Sequence, residues 1–462
     1  MADDTIETCH TFRPPAPQPS SGNLPQLKLL RAIFFNPLSL WRQEHFNELV
    51  VADRTMMGTR LVVSDPALIK WILVDNATNY VRDSLQQRIM LRMTGRGLFS
   101  AGGADWQHQR KALAPFFSAK TVTGYLPSMT AAAEDAVGRY RNSGDDGIDL
   151  GREMSALTVD VLERTLFTNG LGESPAVIAD SVRRFADTNG PVELGDLFGL
   201  PNWMPGVRRI LGWRTTALVW QRARRIVAEA KECSRSQGSG LFTALFSTRN
   251  PETGKMLGDR AIESNVSTLI GAGSDTVAVA LTWSIFLLSQ TPHVRDAVEA
   301  EISTHLKAGP ITVDTLDKLV WTRAIVEEAM RLYPPAPLIG RMTLTDERLG
   351  GRGYPAGTAI LISPWVLHRH SQLWSDPDMF DPERFLPGRR EKISRYAYMP
   401  FGAGPRVCIG MGFAMQESVA ILATLIRHLR FERADSLPIR LRQCITLQTE
   451  APLRMRIRPR QT

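Results

Sequence analysis

The order of apolar and polar positions along the chain predicts a mainly α-helical fold with a small β part. Residues 49–64 alternate as short strands do, because successive side chains of a strand point to opposite faces. Asp65 and Pro66 then begin a helix, with Asp65 as its N-cap and proline in its first turn. Residues 105–245 follow the longer helical period. The predicted breaks in that helical stretch are Pro115, Pro127, Gly190–Pro191 and residues 199–205.

The second half of the chain is predicted to hold one long helix, over residues 260–290. Its apolar run from Val266 to Leu288 reaches the roughly 20 residues needed to cross a bilayer. Asp275 near the centre would be costly in lipid, so we predict a helix through the core of a soluble protein instead. The other predicted elements are helices at 293–306, 313–332 and 409–428, a small sheet within 337–365, a loop-rich stretch at 370–407 and closing strands.

Composition and charge place the chain among ordinary globular proteins. It has 462 residues, 43% of them hydrophobic, and a formal net charge of +8. Arginines at 454, 456, 458 and 460 alternate with other residues, which predicts a strand with a solvated basic face. No nucleic-acid module or interleaved aromatic run accompanies them, so we expect no nucleic-acid partner.

The ends of the chain and its cysteines suggest a location. Residues 1–30 are a proline-rich N-terminal segment, expected to be extended on the surface, and residues 31–462 form the main domain. The first residues lack the basic and apolar regions of a signal peptide. Four cysteines without a CxxC pair do not make a disulfide framework. We therefore expect a cytoplasmic monomer without a membrane anchor.

The strongest chemical signal is the segment 401–410, which delivers Cys408 to the start of the last predicted helix. Free backbone N–H groups at a helix N-terminus stabilise an anion, so a thiolate is expected at Cys408. Gly410 leaves room for a flat ligand, and Arg406 is placed to meet an acidic group on that ligand. Two further glycines in the segment permit unusual backbone angles.

A second signal lies on the helix predicted over residues 260–290. Ala272 and Thr276 are four residues apart and share one helical face. A methyl group at Ala272 lets the helix lie close over a ring, Thr276 brings a hydroxyl, and Asp275 supplies a proton route. The glycines and the threonine hydroxyl also favour a local loosening of the helix. Taken alone, the pattern fits a helix with a tolerated polar kink equally well.

Two charged patterns are weak by themselves. Glu328 and Arg331 share a helical face that also carries apolar residues, so an inward-facing pair would have to be mutually satisfied. Trp106 and Arg110 share a face in the same way. The run His368–His370 lacks a cysteine or acidic cluster beside it, and we do not interpret it as a metal site.

Taken together, these motifs resemble the cytochrome P-450 superfamily of haem-thiolate monooxygenases. Residues 401–410 match every fixed position of its haem-binding signature, Phe-x-x-Gly-x-Arg-x-Cys-x-Gly, and the four motifs occur in the family's order. The resemblance covers roughly residues 50–460. It implies a chain of the soluble bacterial type, with the cytochrome P-450 fold: a single triangular, mainly helical domain. Haem b (iron protoporphyrin IX) would lie between the Thr276 helix and the Cys408 helix.

The resemblance also implies roles for individual residues. Cys408 would be the axial ligand of the haem iron, and Thr276 with Asp275 the catalytic acid–alcohol pair that delivers protons. Glu328 and Arg331, closed by Arg384, would lock the cysteine loop without a catalytic part. The family often has a second threonine or serine where this chain has Val277. The residues implied to bind the haem are Cys408, Trp106, Arg110, Ala272, Arg341, Phe401, Arg406 and Gly410.

The reaction implied is monooxygenation, in which one atom of dioxygen enters a C–H or C=C bond and the other leaves as water. No flavin, nicotinamide or iron–sulfur module follows in the sequence, so we expect electrons from NAD(P)H through a ferredoxin reductase and a ferredoxin. Basic residues would dock this acidic partner. The residues proposed for this docking surface are Arg110, Lys111, Arg389, Arg390, Lys392 and Arg395.

The substrate is expected to be a medium-sized hydrophobic compound, of terpenoid or fatty-acid type. By resemblance, the pocket is lined by 82–99, parts of 180–205, 268–276, 336–340 and residues near Thr446. It would be mainly apolar through Leu85, Ile89, Met90, Leu338 and Ile339, while Arg82, Arg88 and Arg92 are candidate partners for a substrate carboxylate.

Two other functions stay open on the sequence. One is a peroxide-driven hydroxylase or an isomerase on the same fold, which needs no reductase. The intact pair Asp275–Thr276 argues against it. The other is a haem sensor or electron carrier without enzymatic activity, which needs no proton relay.

Overall fold

The structure of the chain is a computed structural model, and it confirms a mainly α-helical fold, 57% helical with small sheets. It describes residues 12–22, 26–55, 58–141, 147–168, 170–200, 204, 206–234, 240–250, 253–306 and 309–460. The N-terminal residues before 12, including Cys9, lie outside the described residues, as does part of the predicted break at 199–205.

The helices occur in the order that the apolar pattern predicts, with several short ones added. Within the described residues they are α1 Gln26–Phe35, α2 Gln43–Asn47, α3 Pro66–Lys70, α4 Ser84–Thr94, α5 Gly103–Leu113, α6 Ala119–Arg141, α7 Leu150–Thr165, α8 Pro175–Asn189, α9 Leu194–Leu197, α10 Val207–Leu211, α11 Trp213–Ser234, α12 Leu241–Ser247, α13 Asp259–Gln290, α14 Pro292–His305, α15 Val313–Leu316, α16 Val320–Leu332, α17 Pro364–Leu367 and α18 Met411–His428.

The strands are short and form four small sheets in the described part of the chain. The strands are β1 Val50–Thr55, β2 Gly58–Val63, β3 Tyr80–Arg82, β4 Ile148–Asp149, β5 Ile339–Thr343, β6 Glu347–Leu349, β7 Arg352–Tyr354, β8 Ala359–Ile362, β9 Leu429–Arg433, β10 Leu441–Gln443, β11 Leu447–Thr449 and β12 Arg454–Pro459. The largest sheet has the order β1-β2-β8-β5-β3, and the others are β10-β11, β4-β12-β9 and β6-β7.

Helix α13 is the centre of the fold. It packs against α7, α11, α16 and α18, and its residues from Val277 to Leu288 are buried without interruption. By length and composition this helix could cross a membrane, but 72% of its most apolar window is buried inside the protein. The apolar run is therefore explained by its position in the core, as predicted.

Two helix boundaries differ from the prediction. Pro127 was expected to end a helix, yet it lies inside α6. A proline within a helix costs about 3 kcal/mol, and here the buried face of α6, which includes Leu126 and Met129 and packs on α18 and α7, offsets that cost. The helix predicted over 313–332 is two helices, α15 and α16, because the backbone leaves helical geometry at Leu319.

Residues 12–22 of the proline-rich segment lie along the domain without regular helix, whereas its last residues, from Gln26 on, already belong to α1, contrary to the predicted boundary at residue 30. Phe12 packs edge-on against Phe286 of α13, and its carbonyl accepts the N–H of Phe380. The hydroxyl of Tyr333 donates to the carbonyl of Pro15 at 2.8 Å. At the other end, β12 has the predicted basic face, with Arg456 exposed and Met455 buried.

Candidate active site

The cysteine loop is a sharp turn pressed against the segment after α3. Gly402 and Gly404 both adopt positive φ, 71° and 74°. A Cβ atom at Gly404 would lie 1.8 Å from the carbonyl oxygen of Leu73, so only glycine fits there. The N–H of Cys408 donates to the carbonyl of Phe401 at 3.0 Å, which closes the loop. Cys408 lies just before Gly410, the N-cap of α18, and its side chain faces a large cavity.

The environment of Cys408 corrects one expectation from the sequence. Burial raises the pKa of its thiol, and the backbone N–H of Gly410 and the charge of Arg110 act in the opposite direction without overcoming it. The helix terminus therefore favours the thiolate, as expected, but its effect does not outweigh that of burial. A metal cation bound to the sulfur would stabilise the thiolate, because metal coordination deprotonates a thiol outright.

A buried ion pair stabilises the segment that leads to the cysteine loop. Glu328 and Arg331 of α16 are both fully buried and make two hydrogen bonds, at 2.6 and 2.8 Å. Arg331 also donates to the carbonyls of His368, Pro377 and Met379. The Nε atom of Arg384 lies 3.8 Å from Glu328. The pair thus fixes the loop-rich stretch before the cysteine, as its predicted structural role requires.

His368 belongs to the same group of buried residues that holds the segment before the cysteine loop in place. Its Nε2 atom accepts the N–H of Met399, nine residues before Cys408, at 2.9 Å. Burial and the neighbouring arginines lower its pKa to about 3, so the imidazole is neutral. Among the described residues no cluster of histidine, cysteine and acidic side chains could hold a metal ion.

The opposite wall of the cavity is one face of α13. Ala272 and Thr276 both line the cavity, and the Thr276 hydroxyl donates to the Ala272 carbonyl at 2.7 Å. Gly273 lies on another face, where a Cβ atom would come within 3.0 Å of Leu162. The glycine therefore allows α7 to pack closely on α13, and the helix continues without a break from Asp259 to Gln290.

Asp275 is held by the hairpin of β10 and β11. Its carboxylate accepts hydrogen bonds from the Thr446 hydroxyl and from the Gln448 amide, the latter at 3.1 Å. Burial raises the pKa of Asp275, while Thr446, Arg183 and Gln448 oppose that rise. The sequence analysis placed Thr446 near the pocket but did not foresee either hydrogen bond, since nothing in the sequence links the hairpin to α13.

Cationic side chains gather at the edge of the cavity beside the cysteine loop. Arg406 and Arg110 lie over the ring of Trp106, at 4.6 and 5.6 Å from its centroid. Arg82 and Arg341 face each other across β3 and β5. Burial and mutual repulsion lower the pKa of Arg82 to about 9 and that of Arg341 to about 10.

Among the described residues, this cluster lacks a counter-charge. In the described part of the chain none of the four arginines forms an ion pair with a carboxylate, and the Nη1 atom of Arg406 is buried without a hydrogen-bond partner. Buried cations are normally paired. Two carboxylates from a bound ligand would supply what is missing, and arginine suits that geometry. The sequence analysis assigned Arg82 to a substrate carboxylate, whereas it lies with the other three.

The cavity has a volume of about 1510 Å³ and connects all of these groups. Every residue that the resemblance assigned to catalysis or haem binding lines it: Cys408, Trp106, Arg110, Ala272, Asp275, Thr276, Arg341, Phe401, Arg406 and Gly410. A thiol on one wall, a small methyl group opposite and unpaired cations at the edge fit a flat dianionic haem. Cys408 would bind its iron, and the arginines its propionates.

Beyond this region the cavity is mainly apolar. Leu85, Ile89, Met90, Leu338 and Ile339 line it, as predicted. Its outer end is bordered by large apolar side chains that are exposed to solvent, namely Phe35, Leu194 and Phe198.

Two arginines assigned to a substrate carboxylate are already occupied. Arg92 binds the buried Asp196 at 2.9 Å and donates to the carbonyls of Asn189 and Pro191. Arg88 donates to the carbonyl of Leu200 and lies 3.8 Å from Asp196. Both arginines tie α4 to the segment after α8, so the interpretation of them as substrate-binding cations was wrong.

Comparison with known proteins agrees with this geometry. The family model for cytochrome P450 matches residues 12–455. Cyclooctatin synthase of Streptomyces melanosporofaciens is 32% identical over 406 residues, covering 86% of this chain and 85% of that protein. Cyclooctat-9-en-7-ol 5-monooxygenase of the same organism is 31% identical, with 87% of each chain covered. Pentalenene oxygenase of Streptomyces avermitilis is 31% identical, covering 80% of this chain and 81% of that protein.

Proposed function

Because the chain belongs to the cytochrome P450 family of haem-dependent monooxygenases, we propose that it oxidises an uncharged terpenoid-like hydrocarbon or alcohol. The observation that carries this proposal is one continuous cavity, which joins Cys408 and the unpaired arginines to an apolar chamber. Bound haem supplies the activation of dioxygen. The protein supplies iron ligation, protons and the position of the substrate.

Each group in the cavity has a defined task. Cys408 would ligate the iron of the bound haem, and the arginine cluster would hold its propionates. The Thr276 hydroxyl holds a proton at Oγ1, one helical turn from Ala272. Asp275, with a pKa raised by burial, is able to release and regain a proton nearer to neutral pH than an exposed aspartate. The apolar walls exclude bulk water from the reacting region.

The proposed substrate class follows from the shortage of free cationic side chains in the apolar part of the cavity. Arg88 and Arg92 are engaged by Asp196 and backbone carbonyls, and Arg82 belongs to the cation cluster at the cysteine loop. Two further lining arginines, Arg222 and Arg442, are paired with carboxylates, and Arg208 lies over the exposed ring of Phe35. Away from Arg208, a fatty acid would have to bury its carboxylate against an apolar wall, which is costly without a partner. An unsaturated hydrocarbon or its alcohol meets no such cost. The names of two relatives, built on cyclooctat-9-en-7-ol and pentalenene, agree with this choice.

Substrate binding gives the direct test. We expect pentalenene or cyclooctat-9-en-7-ol to displace the water ligand of the ferric haem, seen as a spin-state change in the absorption spectrum. A fatty acid of the same carbon number should bind at least about tenfold more weakly, because one unpaired buried charge costs more than 1.4 kcal/mol. The matched control is the fatty acid's methyl ester, which should recover affinity. Tighter binding of the free acid than of its ester would contradict the proposal.

We further propose that a ferredoxin, reduced by its own reductase, supplies the electrons. The proposed basic docking surface contains fewer residues than the sequence suggested. Arg110 faces the cavity and donates to the carbonyl of Val407, while Arg389 and Arg390 pair with acidic neighbours. Of the six cations proposed from the sequence, Lys111, Lys392 and Arg395 remain exposed.

Charge reversal tests this docking surface. The double variant Lys111→Glu, Arg395→Glu is expected to lower the rate of ferredoxin-driven reduction at least about tenfold at low ionic strength, because steering of a charged partner changes association rates by about 10–10³-fold. The difference should shrink with added salt. Arg224→Glu on α11, an element that packs on α8, α12 and α13, is the control and should leave the rate unchanged. An unaltered rate in the double variant would remove these residues from the interface.

A further inference from the structure

We propose that Thr446 and Gln448 are positioning residues for the acid of the active site, and that the β10–β11 hairpin presents the Asp275 carboxylate to the cavity. This inference rests on the proton-supplying role proposed above for Asp275. Thr446 and Gln448 would act only through that carboxylate, not by touching the haem or dioxygen.

The contacts are specific and mutually supporting. The Thr446 hydroxyl donates to Oδ2 of Asp275, and the Gln448 amide lies 3.1 Å from Oδ1 and 3.4 Å from Oδ2. The same amide lies 3.2 Å from the Thr446 hydroxyl oxygen. Both oxygens of one carboxylate are thus held by neutral donors from a separate sheet, far away in the sequence. The side chain has little freedom left to rotate.

The surroundings explain why such support is needed. Thr446 is buried, and the Asp275 carboxylate sits where burial disfavours its charged form. The charged and titratable groups around it are Arg183 and Asp187 of α8 and Cys444 of the hairpin. Asp187 is itself paired with Arg442. On α8, Arg183 stabilises the ionised carboxylate of Asp275 and Asp187 destabilises it, so their effects partly cancel. The hydrogen bonds from Thr446 and Gln448 add the stabilisation that these two charges do not supply.

The hairpin also contacts the space where substrate binds. Cys444, Ile445 and Thr446 all line the cavity. One short element consequently forms a wall of the substrate chamber and holds the proton-supplying acid. A substrate that fills this end of the chamber packs directly beside the groups that fix Asp275, so proton supply and substrate position depend on the same hairpin.

The test uses the holoenzyme with Thr446→Val and Gln448→Leu combined. Removing both donors is expected to raise the pKa of Asp275 by about one unit or more, because hydrogen bonds to the charged form are lost. The readout is the infrared carbonyl band of the protonated carboxyl, titrated with pH and assigned by its absence in Asp275→Asn. The single variant Thr446→Ser, with Gln448 intact, keeps both donors and should titrate as the wild type does. Unchanged thermal unfolding shows that the variants are folded.

Oxygen consumption provides a second, separate readout. In the double variant a smaller fraction of the dioxygen consumed should appear as product, whereas the single variant Thr446→Ser should keep the wild-type fraction. A carboxyl band that titrates as in the wild type would overturn the positioning proposal. If the band shifts but Asp275→Asn forms product as efficiently as the wild type, the positioning is supported and the proton-supplying role of Asp275 fails instead.

Discussion

Replacing Glu328 with glutamine is expected to destabilise the protein by about 3–5 kcal/mol, because it leaves a buried cation without its partner. Arg331 is fully buried, and Glu328 is the one carboxylate that binds it in the described structure. Arg384 adds a second cation 3.8 Å from the same carboxylate. Glutamine has nearly the same shape as glutamate, so the loss of stability measures the effect of the missing charge and not of altered packing. The free energy of unfolding in urea, measured on the haem-loaded protein, gives the magnitude.

The neighbouring glutamate is a matched control for this prediction. Glu327 pairs with Arg390, and their side chains are 13% and 36% exposed. Arg390 still reaches solvent when its partner is lost, and burial already disfavours the charge of Glu327, so Glu327→Gln should cost clearly less stability than Glu328→Gln. The Glu328 variant should also lose haem more readily, since the pair fixes the stretch before the cysteine loop. Equal stability of the two variants would show that the buried pair does not hold the loop.

Replacing Cys408 with serine is expected to reduce monooxygenase turnover by more than about 100-fold. Loss of a group that only supports a metal ligand already costs about 10–100-fold, and here the ligand itself is removed. Cys408 is the cysteine that the loop delivers to the cavity floor, and no other described side chain could replace its sulfur there. Turnover per bound haem is the quantity to measure, because the variant binds haem less tightly.

Cys444→Ser separates ligation from general effects of removing a thiol. Cys444 also lines the cavity, but it lies in the hairpin at the substrate end. Its replacement should leave turnover within a few-fold of the wild type. Comparable losses in both variants would contradict the assignment of Cys408 as the iron ligand.

The sequence predicted the parts of the site that depend on local patterns. The apolar run around α13, the proline stop after α16 and the glycine-rich cysteine loop all follow from short-range chemistry, and the structure contains each of them. Residues that share one helical face, such as Ala272 and Thr276, could be placed together before any fold was known.

The sequence did not reveal features that depend on packing between distant segments. The partners of Asp275 come from a hairpin about 170 residues later, and Asp196 takes Arg92 away from the substrate. Pro127 lies inside α6 because tertiary contacts outweigh its helix-breaking tendency. The raised pKa of the Cys408 thiol is a consequence of burial, which the local motif does not specify.

The carbon monoxide difference spectrum of the reduced protein shows whether Cys408 ligates the haem iron as a thiolate. We expect a Soret band at the red-shifted position typical of thiolate-bound haem, present in the wild type and lost in Cys408→Ser. A band typical of histidine or neutral-thiol ligation in freshly prepared wild-type protein would contradict the assignment and the mechanism built on it.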